Sequence, residues 1–186
     1  MKNTVFILVL SILFFGSCQR DVYFNDFEKS LLDIYNEGDT LIFESDRGIR
    51  DTSYILKKDI GYADWNPFAH SGKYRFLSGD VYYSRGGLIN SELNSMEHFS
   101  LSKRHPDTTW FFIAHSKIVM FEKFSKLSEQ SLAQFKVDTN LYRFRITRVE
   151  KDKGTEALLY WHLKYGLVKF VTPEGEVWSR INFERR

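Results

Sequence analysis

The sequence predicts a mainly β or α+β domain built on a single twisted antiparallel sheet. That sheet is a meander, open to curvature or a half-barrel form, with one or two short helices. Three observations point there. Aromatic residues make up 17% of the chain, with 17 Phe and 10 Tyr against only 3 Pro and 11 Gly, and aromatics suit half-buried pleated surfaces. From about residue 40 onward the apolar residues mostly recur with a period of two. A well-marked helical period occurs early, and a weaker one near the middle.

The N-terminus has its own logic. Lys2 precedes an apolar run from Val5 to Phe15, broken only by Ser11, and Gly16, Ser17 and Cys18 follow. About 11 apolar residues suit the core of a secretory signal peptide, whereas a membrane-crossing helix needs about 20. The segment Phe15-Gly16-Ser17-Cys18 is similar to a bacterial lipobox, with Phe15 where leucine is usual. Small residues let the chain lie extended in a peptidase cleft, and the thiolate of Cys18 is the nucleophile that accepts diacylglycerol. Cys18 is also the only cysteine. The expected layout is a signal peptide at 1–17, a tether at 18–23 and one globular β-rich domain at 24–186. An acylated Cys18, carrying palmitate-type chains, would hold the mature domain firmly to a membrane. The address is the bacterial cell envelope. Gln19 favours the outer membrane, and Arg20-Asp21 resembles a surface-export signal, so the periplasmic and the surface face both stay open.

From Cys18 onward the chain has about 169 residues, the size of one domain. A chain that long buries enough surface to fold without a staple. Its charges nearly balance and are interspersed, which argues against a nucleic-acid partner.

Phe24, Phe27, Leu31, Ile34 and Tyr35 predict an amphipathic helix over Asp26–Asn36. Asn25 is its N-cap, Glu28 completes a capping box, and Gly38 sits just past its end. Leu41–Glu44 and Thr52–Leu56 read as a hairpin around Asp46-Arg47-Gly48. Lys57–Gly72 reads as a long loop, and Lys73–Ser84 as the next strand. Phe99–Lys103 and Thr109–Ser116 flank the turn His105-Pro106-Asp107-Thr108, where proline presets φ. Lys117–Phe121 extends that strand or starts another. Phe124, Leu127, Leu132 and Phe135 suggest a second short helix or a structured loop. In the last part, Tyr142, Phe144 and Ile146 alternate with Arg143, Arg145 and Thr147. Ala157–Leu163 is apolar on both faces, Leu167–Thr172 runs back, and Val177–Phe183 reads as an outer strand, closing a four-strand meander.

The stretch Tyr160–Phe170, with Gly175 and Trp178 after it, resembles the closing hairpins of uncharacterised small β-rich Gram-negative lipoproteins. Gly38–Phe43, Gly48 and Asp51-Thr52 resemble their N-terminal hairpin. That resemblance implies an anchored β-rich domain of unknown role, with no activity or catalytic residues to carry over. A looser similarity is to half-barrel lipoprotein carriers, whose curved sheet wraps a lipid.

No catalytic signature is visible, so no catalytic residue is assigned. His70, His98, His105, His115 and His162 stand in no metal-ligand spacing, and neither a metal nor a cofactor is expected. No Gly-x-Ser-x-Gly elbow or phosphate loop occurs. Two features rise above background. Tyr62, Trp65, Phe68 and His70 form a candidate ligand loop, although such aromatics more often plug a sheet end. Arg143, Arg145 and Arg148 form a basic stripe able to meet an anionic surface, although a solvated face is the commoner outcome. The expected function is a membrane-anchored, non-enzymatic binding or interaction module, engaging an envelope protein or a hydrophobic ligand. The rivals are a half-barrel carrier of lipid and an envelope hydrolase without a sequence-visible motif.

Overall fold

The computed structural model describes residues 20–63, 74–85, 97–115, 118–146 and 157–182. Cys18 lies outside them. Their strands are β1 (Thr40–Ser45), β2 (Arg50–Tyr62), β3 (Leu77–Arg85), β4 (Glu97–His105), β5 (Thr108–His115), β6 (Ile118–Ser125), β7 (Lys136–Asp138), β8 (Leu141–Arg145), β9 (Leu158–His162), β10 (Gly166–Val171) and β11 (Val177–Arg180). All join one antiparallel sheet in the order β6-β5-β4-β3-β2-β1-β11-β10-β9-β8-β7. The expected mainly β fold is therefore observed, in its half-barrel form.

Topologically, two meanders meet where β1 pairs with β11, at Phe43–Arg180, Glu44–Ser179 and Ser45–Trp178. This corrects the reading of β11 as an outer strand: it lies between β10 and β1. The outermost strands are instead β6 and β7, which come from the middle of the chain.

Side chains from distant strands meet across the concave face, so the sheet must curl. Phe111 on β5 stacks on Phe144 of β8 with centroids 5.6 Å apart, although these strands sit near opposite ends of the sheet. Phe99 on β4 meets Trp161 on β9 at 4.7 Å. Helix α1 (Asp26–Leu32) packs inside this curve, with Leu31 and Leu32 fully buried. Its capping box forms as the sequence predicts, Glu28 N–H donating to Asn25 Oδ1 and Asn25 N–H to Glu28 Oε2. The helix ends at Leu32, earlier than expected. Tyr35 then follows its own path, and its hydroxyl accepts the Leu167 N–H at 2.7 Å.

Residues 57–62 are strand, which corrects part of the predicted loop. The polar run Lys57-Lys58-Asp59 hides it, because this half of β2 is solvated and carries the ion pairs Lys57–Asp59 and Lys58–Asp33. A bulge between Ile55 and Lys57 also breaks the alternation. The second helix, α2 (Glu129–Leu132), is one turn long and leads through a 3-10 turn at Ala133–Phe135 into β7. Within the segment read as a tether, Arg20 bridges Tyr74 and Val22 is buried.

Candidate functional site

Among the described residues β6 and β7 do not pair with each other, which leaves a seam between the ends of the half-barrel. The link from β6 to β7 crosses this seam, and Phe135 fixes it by packing on Phe144 at 4.8 Å and edge-on against Phe124 at 5.9 Å. Over that link lies a groove of about 440 Å³ lined by Glu122, Gln134, Phe135, Lys136, Val137, Arg143 and Arg145. Its size falls within the range of small-ligand sites.

The strand alternation explains the lining. Tyr142 and Phe144 point into the core, so Arg143 and Arg145 must point out. The bend after Phe135 brings Lys136 and Val137 to the same place. The groove thus combines three cationic side chains, one carboxylate from Glu122, and apolar surface from Phe135 and Val137. Guanidinium groups pair with carboxylate or phosphate through parallel hydrogen bonds, and the apolar surface suits an alkyl or aromatic part.

Two of the predicted basic residues, Arg143 and Arg145, converge here; Arg148 lies outside the described residues. Tyr62 is placed at the end of β2, far in sheet order from the groove. Its hydroxyl donates to the Val22 carbonyl at 2.6 Å. Trp65, Phe68 and His70 lie outside the described residues. Sequence reasoning missed Glu122, Gln134, Lys136 and Val137: β7 pairs with β8 as its sheet neighbour, but only the curl brings β6 beside them.

Two buried polar clusters are elsewhere. His115 is sealed among Phe43, Tyr83 and Phe170, with ring centroids 5.0, 5.5 and 4.8 Å away. Its Nδ1 lies 3.0 Å from Glu97 Oε2. The rings close around His115, while the Glu97 side chain beside it stays partly exposed. The second cluster is Glu28, Lys103 and Thr109, all buried. His162 serves a turn: its Nδ1 accepts the Lys164 N–H at 3.0 Å. Partial burial, and then Lys164, lower its pKa. Among the described residues no group of three His, Cys, Asp or Glu side chains could hold a metal, and no helix is long and apolar enough to cross a membrane.

No family model, no curated protein and no solved structure matches this chain.

Proposed function

We propose that this protein is a membrane-anchored envelope lipoprotein whose half-barrel is a non-enzymatic binding module. The groove at its seam takes a ligand with an anionic end and an apolar part. One observation carries the reading: Lys136, Arg143 and Arg145 converge over Phe135 and Val137 where the sheet fails to close. The anchor follows from Cys18 at the end of a signal-like segment.

The carrier reading draws support from the half-barrel curvature. The concave face weighs against it, since Phe43, Phe99, Phe111, Phe144, Trp161 and Phe170 fill that face and are almost fully buried. A carrier of this kind needs several hundred cubic ångströms of apolar space.

The probe is decyl phosphate, titrated calorimetrically. The protein is expected to bind it, and the Arg143→Ala/Arg145→Ala double variant to bind at least tenfold more weakly, since hydrogen bonds to charged groups contribute about 1.5–3 kcal/mol. Equal affinity for uncharged decanol, or no effect of the double variant, would refute the groove as an anion site.

A further inference from the structure

The rim of the half-barrel nearest the N-terminus carries aromatic and cationic side chains that the seam groove does not use. Arg20, the first described residue, is fixed to this rim: its carbonyl accepts the Arg75 N–H at 2.9 Å. Tyr23 is 71% exposed and stands edge-on to Tyr62 at 6.4 Å. The Arg75 guanidinium covers the Tyr62 ring at 4.6 Å and reaches Asp21 at 3.3 Å. Tyr74 packs on His105 at 5.1 Å, and Arg104 lies over Phe76 at 5.0 Å. Asp21 and Asp107 are the acids beside these groups, Asp21 against Arg75 and Asp107 3.9 Å from His105.

We infer that this rim is a non-covalent membrane-contact surface that seats the domain on anionic lipid headgroups. The inference rests on the anchored reading above. Cys18 precedes Arg20 by two residues, which span at most about 7 Å of extended chain. An acylated Cys18 therefore brings the bilayer surface to this rim and to no other part of the sheet. The side chains found there suit that surface. Tyrosine rings sit at the headgroup level, apolar body inward and hydroxyl in water. Arg20 and Arg104 meet anionic headgroups, each strengthening association about fivefold near such a surface, the equivalent of ~1 kcal/mol, while Arg75 is held by Asp21 and the Tyr62 ring. The seam groove then has a fixed orientation relative to the membrane.

The test uses the acylated protein in phosphatidylglycerol vesicles. Acylation blocks Cys18, so a fluorophore attaches only to an introduced cysteine. One variant is Tyr23→Cys on the rim. The other is Arg47→Cys, in the β1–β2 turn, roughly 40 Å from Tyr62 along β2 at ~3.3 Å per residue. Nitroxide-labelled lipids should quench the first label strongly and the second hardly at all. Adding Arg104→Glu, at an exposed position, should reduce the quenching severalfold while the protein stays on the vesicles. Equal quenching at the two positions, no quenching at Tyr23→Cys, or the same quenching in neutral phosphatidylcholine would overturn the inference. Mass spectrometry of Cys18 tests the anchor separately. If Cys18 carries no acyl group, the anchor fails. The rim is then decided by whether the unacylated chain floats with phosphatidylglycerol vesicles and loses this with Arg104→Glu.

Discussion

Glu28 and Lys103 form an ion pair sealed inside the half-barrel. Lys103 Nζ lies 3.0 and 2.8 Å from the two carboxylate oxygens, and the side chains are 0% and 4% exposed. The Thr109 hydroxyl donates to the same carboxylate, and Glu28 also caps α1 through the Asn25 N–H. This pair locks the start of α1 to β4 and β5. Removing one partner leaves an uncompensated buried charge, which costs about 3–5 kcal/mol. Glu28→Ala is expected to lower stability by that much in a urea titration. Glu28→Leu/Lys103→Met should lose clearly less than the sum of its single variants; additive losses would show the pair uncoupled.

Gly166 turns the chain at φ +74°, where its missing Cβ leaves room for the Tyr35 hydroxyl. Gly166→Ala meets both left-handed strain and a clash with that hydroxyl, each about 1–3 kcal/mol. Tyr35→Phe leaves the buried Leu167 N–H unpaired, at about 1–3 kcal/mol. Denaturant midpoints should fall for both variants, and an unchanged midpoint for Gly166→Ala would contradict the contact.

Burial pushes the Tyr35 phenol up to about 12 and the Tyr83 phenol well above its ordinary value. A raised pKa means the folded state keeps a proton that the unfolded chain releases above about pH 10. Stability is thus fully present below pH 10 and is lost as pH climbs toward 12. Tyr35 contributes roughly 2–3 kcal/mol of that loss at ~1.4 kcal/mol per unit. Phenolate absorbance should appear together with unfolding, and Tyr35→Phe should flatten the alkaline slope.

Gly79 and Gly61 separate packing from backbone freedom. A Cβ at Gly79 would come within 2.5 Å of Leu32 and 3.2 Å of Phe24, whereas one at Gly61 meets nothing within 4 Å. Gly79→Ala is expected to cost about 1–3 kcal/mol by overpacking, and Gly61→Ala to stay within about 0.5 kcal/mol. Thermal melts of the two variants give the comparison directly.

Cys18→Ala removes the only thiol. If Cys18 is acylated as proposed, the acyl mass should vanish in this variant by mass spectrometry. Acyl groups persisting on the variant would place lipidation elsewhere.

Local patterns were legible in the sequence alone. The Asn25–Glu28 capping box, the turn at Pro106-Asp107 and the alternation of Tyr142 and Phe144 with Arg143 and Arg145 all depend on residues a few positions apart. So did the mainly β class and the outward direction of Arg143 and Arg145. Tertiary structure decided the rest, because it depends on which distant strands pair. The join of β1 to β11 puts the first and last strands in mid-sheet and leaves β6 and β7 as the two edges, each paired on one side only. That one pairing creates the seam, and the curl brings Glu122 beside Lys136 and the two arginines. No period along the chain encodes such a meeting, since hydrophobic alternation fixes which face a side chain takes but not which strand lies beside it.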